Sequence, residues 1–200
     1  MTTLPSEPLS QAEFRVWELE QEAKHEYVDG FVEPLFGDRT ICGFAGGTVR
    51  HGRIAMELAM RIGPLAGPCR KYGSDVLIET WRSSRYADLF VTCDDRDRDR
   101  DDDTAVHHLK LIIEVLYEST AKIDLGAKMR EYQSIAELEE YVTIDSRKRW
   151  AQIVRRDQGG VWKLEAPAAT GDQELRSTGA TIDLEALYDI VGMPPGEVSS

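Results

Sequence analysis

Apolar positions along the chain follow two rhythms, short blocks bounded by turn formers and recurrences every three or four residues. The first predicts strands and the second helices. Ser10-Gln11-Ala12-Glu13 has the form of a capping box, and it opens a short helix with Phe14, Val16 and Trp17 as its apolar face. Asp29-Gly30, between Glu26-Tyr27-Val28 and Phe31-Val32, predicts a tight hairpin, because both turn positions need positive φ. Over residues 51–66, Ile54, Leu58, Ile62 and Leu65 keep helical spacing until Gly63-Pro64 and Gly67-Pro68 stop it.

Strand-like runs follow at residues 75–81, 86–93 and 109–116. Residues 124–133 predict a helix with Leu125, Met129 and Tyr132 on one face, and residues 140–145 another strand. Runs at 150–156 and 161–165 flank Asp157-Gln158-Gly159-Gly160 as a second hairpin, and residues 181–188 begin a last helix with Asp183 as N-cap. This order predicts an α/β fold: a mixed central sheet flanked by helices, with added N-terminal and C-terminal β-hairpins. One domain spans residues 1–192, and 193–200 form a frayed tail. A helix between the strands at 109–116 and 140–145 permits a crossover and so a parallel pair.

Composition narrows the classes. No stretch approaches the roughly 18 consecutive apolar residues of a membrane span. The N-terminus lacks a basic start and an apolar segment, so no secretory signal is expected. Three cysteines, Cys42, Cys69 and Cys93, are odd in number and widely spaced, which argues against a disulfide framework or zinc cluster and makes the reducing cytoplasm the expected location. The net charge of −12 argues against a general nucleic-acid coat, though it leaves room for a local basic groove. A third of that excess sits in residues 94–103, with seven Asp and three Arg, a pattern expected of a solvated, mobile loop. Gly43, Gly46 and Gly47 mark a loop but no phosphate loop, since no G-K-[ST] follows.

Candidate chemistry begins with Glu114. It lies inside Leu111-Ile112-Ile113-Glu114-Val115-Leu116, apolar on both faces as in a central covered strand. A carboxylate buried there must be neutralised, paired or bound to a cation. Asp88 sits among apolar residues in the preceding run. In neighbouring, registered strands the two carboxylates would come within a few ångströms and could not both ionise cheaply. A divalent cation would relieve that conflict, and hard oxygen donors favour Mg²⁺ or Mn²⁺ over zinc. Asp124 and Lys128, four apart, share a helix face from which the ammonium can lean toward the sheet. Each piece also has a structural reading: a helix surface pair for Asp124–Lys128, a hairpin stabiliser for Glu26, a helix-start residue for His51.

Taken in order, Tyr86-Ala87-Asp88, Ile113-Glu114-Val115-Leu116, Ser119-Thr120, Asp124-x3-Lys128-x3-Tyr132, Glu140-Tyr141-Val142 and Asp145 resemble the Uma-two family of restriction-endonuclease-like proteins, a branch of the PD-(D/E)xK nuclease-like superfamily. Glu26-Tyr27-Val28-Asp29-Gly30 and His51-x2-Ile54 match the family's opening. The resemblance implies a restriction-endonuclease-like core with Asp88 and Glu114 as metal ligands. Lys128 would replace the lysine that the wider superfamily places where this chain has Leu116, with His51 and Asp124 near the site. Departures are Ala87 for the usual Pro, Tyr117-Glu118 for Ser-Pro, and Glu137-Leu138-Glu139 before Glu140-Tyr141.

The resulting expectation is a metal-dependent endonuclease hydrolysing DNA, more readily than RNA, in a cytoplasmic homodimer with no membrane attachment. The alternative is a catalytically inactive nuclease-like scaffold acting in binding or oligomerisation, for which the scattering of Arg50, Arg53, Lys71, Arg82, Arg85, Arg147, Lys148 and Arg149 speaks.

Overall fold

A computed structural model of the chain describes residues 4–35, 48–97, 104–117 and 121–195. Helix α1 (Gln11–Glu18) opens on the predicted capping box: Ser10 accepts from the Glu13 amide while the Glu13 carboxylate accepts from the Ser10 amide. Phe14 is buried, but Val16, two residues and about 200° of helix away, faces solvent. Strands β1 (His25–Val28) and β2 (Phe31–Pro34) form the expected hairpin around Asp29 (φ 50°) and Gly30 (φ 98°). At Gly30 a Cβ would also lie 3.1 Å from the Pro8 side chain.

Helix α2 (Val49–Arg61) is capped by Thr48, buries Ile54 and Leu58, and ends at Ile62 before Gly63 (φ 64°). Strand β3 (Arg70–Gly73) escapes the sequence reading because Tyr72 is its one large apolar residue, as suits a strand at a sheet edge. Strands β4 (Leu77–Glu79), β5 (Ser83–Tyr86), β6 (Leu89–Thr92), β7 (Ala105–Val106) and β8 (Leu109–Leu116) follow. The run at 86–93 is not one strand. β5 ends in one sheet, β6 begins in another, and Ala87 and Asp88 carry the chain across.

The C-terminal part comprises helix α3 (residues 121–132), β9 (Glu140–Asp145), β10 (Ala151–Arg156), β11 (Trp162–Leu164), β12 (Asp172–Leu175), β13 (Ala180–Asp183) and α4 (Leu184–Asp189). The β12–β13 hairpin is unforeseen, and α4 starts later than residue 181, after its predicted cap Asp183. A six-stranded sheet runs β11-β10-β9-β8-β6-β3, and a five-stranded one runs β2-β1-β5-β4-β7. The fold is therefore the expected mixed α/β arrangement, with the N-terminal hairpin extended into a sheet of its own. β8 and β9 are parallel, joined by α3 as the crossover.

Each face of the six-stranded sheet has its own core. Leu111, Ile113, Val115 and Val142 pack under Ile54 and Leu58 of α2. Phe90, Ile112 and Tyr141 pack under Tyr132 of α3.

Two expectations fail here. Arg70 pairs with Thr92, so Cys69 and Cys93 lie opposite each other just beyond the ladder and form a disulfide. Separation in sequence hid a contact that strand pairing creates. Cys42 lies outside the described residues. The tail does not fray from residue 193: Met193 is buried in the core, and the Arg149 guanidinium donates to the Met193 and Pro194 carbonyls. Among the described residues no helix is long and apolar enough to cross a membrane.

Candidate active site

Strand pairing brings the two predicted carboxylates together. Leu89 of β6 opposes Ile113 of β8, so Asp88, one step before β6, arrives beside Glu114. The Val115 amide donates to Asp88 Oδ2 at 2.7 Å, and the Asp88 amide faces Glu114 Oε2 at 3.4 Å. Asp88 Oδ2 also lies 3.3 Å from His51 Nε2. His51 is the third residue of α2, and its own amide donates to Thr48 Oγ1. It thus has both roles open to it in the sequence, helix start and site neighbour. Glu114 is deeply buried, whereas the Asp88 and His51 side chains are each 18% exposed, so the cluster opens to solvent on their side.

Helix α3 delivers the lysine, but not on the face expected. Its wide central turn, Asp124–Lys128, sits between Ala121–Ile123 and Met129–Tyr132. Leu125 is exposed, while Asp124, Lys128, Glu131 and Tyr132 are buried. Lys128 meets the Glu26 and Glu114 carboxylates and Glu131 meets the Arg85 guanidinium, while Tyr132 packs in the core. A buried ammonium must be paired. Lys128 Nζ donates to the Tyr86 carbonyl at 2.9 Å and lies 3.3 Å from Glu26 Oε1, 3.4 Å from Glu114 Oε1 and 3.5 Å from Asp124 Oδ1.

The structure adds Glu26, Arg85 and Glu131, which sequence reasoning did not place here. Glu26 is buried and belongs to the cluster as well as to its hairpin. Arg85, expected among scattered surface cations, is buried; its Nη1 donates to Glu26 Oε2 at 2.6 Å, and Nε and Nη2 grip the Glu131 oxygens at 2.6 and 3.0 Å. A signal for Glu26 existed: like Glu114, it is a carboxylate inside a strand whose neighbours are buried.

Charge on this cluster is strongly negative. Asp88, Glu26, Glu114, Asp124 and Glu131 face Lys128 and Arg85. Burial pushes the Glu114 carboxyl well above the usual range, Lys128 opposes this, and Asp124, Asp88 and Glu26 add to it. Burial disfavours the Lys128 ammonium, but Glu114, Glu26 and Asp124 outweigh it and raise its pKa. Burial likewise works against a charged His51, and the hydrogen bond and charge of Asp88, with the Val115 backbone and Asp124, raise its pKa above 6.5.

This donor set fits a hard divalent cation. Among the described residues no three or more His, Cys, Asp or Glu side chains gather into a metal cage. Mg²⁺ needs none, since it keeps several waters and takes one or two carboxylates plus substrate oxygens. Asp88 and Glu114 would be such a pair: burial is the main cause that raises Glu114, repulsion from Asp124, Asp88 and Glu26 adds to it, and a cation would offset both.

Other predicted features fall away from the site or outside the described residues. Arg82 pairs with Asp29, Arg53 with Glu57, and Arg149 with Asp189, while Lys71 donates to the Ala59 and Gly63 carbonyls. Asp97 of the acidic run is not solvated: it is buried and accepts from Thr92 Oγ1 and the amides of His107 and His108. Residues 98–103 of that run, with Ser119-Thr120 and Gly43, Gly46 and Gly47, lie outside the described residues.

Known proteins share both the sequence pattern and the fold. The family model Uma2, described as "Putative restriction endonuclease", matches residues 11–186. "Uncharacterized protein slr1290" of Synechocystis sp. (strain ATCC 27184 / PCC 6803 / Kazusa) is 30% identical over 191 residues, covering 92% of this chain and 95% of its own. "Uncharacterized protein sll1609" of the same organism is 28% identical over 152 residues, 72% of this chain and 79% of its own. Among solved structures, that of "a putative nuclease belonging to DUF820" from Anabaena variabilis ATCC 29413 superposes with a TM-score of 0.70 at 13% identity, covering 92% of this chain and 99% of the other. The fold is thus shared with a nuclease-like protein.

Proposed function

This chain belongs to the Uma2 family, and from that premise we propose that it is a Mg²⁺- or Mn²⁺-dependent endonuclease hydrolysing phosphodiester bonds of DNA. The observation that carries the reading is the convergence of Asp88, Glu114 and Lys128 from three elements onto one partly open site. Asp88 and Glu114 hold the cation, with the Val115 amide fixing the Asp88 carboxylate. Bound there, the cation supplies Lewis-acid polarisation of a phosphoryl oxygen and a more acidic water.

The remaining work falls to the chain's own groups. Lys128 provides positive charge where negative charge develops on the phosphoryl oxygens. Asp124, Glu26 and the Tyr86 carbonyl orient its ammonium. His51 steadies Asp88 through Nε2 and holds a proton there at the solvent-open side. A homodimer, the commonest closed assembly, would present two such sites for two-strand cleavage.

Supercoiled plasmid incubated with the protein and Mg²⁺ or Mn²⁺ tests this, alongside Asp88→Ala and Glu114→Ala. Nicking by the wild type and its loss in both variants is the expected result; equal behaviour of all three overturns the assignment. A parallel RNA substrate separates DNA from RNA. A second reading, a scaffold without catalysis, is favoured by the net charge of −12. It requires that calorimetry find no uptake of Mg²⁺ or Mn²⁺ that depends on Asp88 and Glu114.

A further inference from the structure

Helix α3 carries both Lys128 and, three residues on, Glu131, and the two are joined a second time through space. Glu131 grips Arg85 of β5 with both oxygens, Arg85 grips Glu26 of β1, and the other oxygen of Glu26 lies 3.3 Å from Lys128 Nζ. The Tyr86 amide faces that same Glu26 oxygen at 3.3 Å, and the Tyr86 carbonyl receives the Lys128 ammonium at 2.9 Å. The four charged side chains are each less than a tenth exposed. Ionic groups buried this deeply bear a large desolvation cost, and apolar residues of similar volume would pack there at no such cost.

We propose that Glu26 is a positioning residue for Lys128, held in place by a closed ring Lys128–Glu26–Arg85–Glu131, so that the five-stranded sheet is a brace for the active site. This deepens the nuclease reading and rests on it, since an exactingly placed ammonium matters only where phosphate chemistry occurs. An ammonium has three protons, and around Lys128 four oxygens compete for them. Without Glu26 the balance shifts toward Glu114 and Asp124, and the lysine settles on a metal ligand instead of standing beside it. Arg85 keeps Glu26 from swinging away, and Glu131 keeps Arg85 from following solvent. The ring explains why β1 and β5, which contribute no ligand, sit against the site.

The test reads the lysine directly. Proton–nitrogen spectra of lysine ammonium groups are recorded for the wild-type protein, with Lys128→Met identifying the Lys128 signal. A buried, paired ammonium gives a signal protected from exchange. Glu26→Gln should shift its nitrogen frequency and accelerate its exchange by about tenfold or more. Glu131→Gln, which alters the far side of the ring, should change the same signal in the same direction. Leu187→Ala, in the other core, serves as a control of general destabilisation and should leave the nitrogen frequency unmoved. A Lys128 signal in Glu131→Gln identical to wild type overturns the ring, and that variant decides alone if Glu26→Gln does not fold. Should the spectra behave as expected while wild-type protein leaves plasmid intact, the ring stands as the device that places Lys128, and its service to phosphate chemistry falls with the nuclease reading.

Discussion

Lys128 and Glu114 face each other across 3.4 Å, each with under a tenth of its side chain exposed. Neither could be buried alone. Their pairing ties the crossover helix to the central strand, and it leaves Glu114 with less than one full positive charge, because Glu26 and Asp124 draw on the same ammonium.

Lys128→Met removes the cation from this group and leaves buried carboxylates unbalanced. A loss of about 3 kcal/mol is expected in metal-free buffer, read from the urea midpoint at constant m-value. Added Mg²⁺ should recover part of it, since a ligand that binds the folded state stabilises it. A gap that Mg²⁺ leaves untouched means the cation does not reach Glu114.

Glu114→Gln should abolish cleavage and yet stabilise the metal-free protein. The folded pKa of Glu114 lies well above 4.5, so wild-type stability falls as pH rises through that raised value and the carboxylate must ionise in the interior. The variant escapes this, and its advantage should grow with pH to about 1–2 kcal/mol. Thermal unfolding at two pH values checks it; a variant less stable than wild type at the higher pH contradicts the burial argument.

His51 has the opposite consequence for its own substitution. Its folded pKa is raised, so the Asp88 contact contributes fully below pH 6.5 and fades as pH climbs through the raised value. His51→Gln should therefore cost most stability below pH 6.5 and little at alkaline pH. A stability difference flat across that window would show that His51 and Asp88 are not coupled in the folded state.

The Cys69–Cys93 bridge closes a sequence separation of 24 residues. A loop of that size corresponds to about 3 kcal/mol of chain entropy in the unfolded state. Cys69→Ser with Cys93→Ser should lower the melting temperature by several degrees, and a reducing agent should do the same to wild type alone. Identical melting with and without reductant would show that the thiols are free in solution.

The legible parts of this chain were those where one local rule sufficed. Ser10 and Glu13 cap a helix, Asp29-Gly30 turns a hairpin, and Leu109–Leu116 is apolar on both faces; each holds in the structure. The juxtaposition of Asp88, Glu114 and Lys128 was legible as well, because carboxylates inside apolar strands need partners. What stayed hidden depends on contacts between distant segments. Residues 86–93 read as one strand because hydropathy does not record a change of sheet at Ala87 and Asp88. Arg85 read as a surface cation because its partners are Glu26 and Glu131, 59 and 46 residues away. Leu125 read as a core residue because periodicity weighs apolar side chains and not the pull of buried charge on α3.

That β1 supplies a counter-charge to the lysine bears on any attempt to trim this protein to a minimal working piece. A fragment starting at α2 would retain every strand of the six-stranded sheet and both Asp88 and Glu114, and would look complete by sequence. It would nevertheless leave Arg85 to Glu131 alone and Lys128 to Glu114 and Asp124, and it should fold poorly or misdirect its lysine.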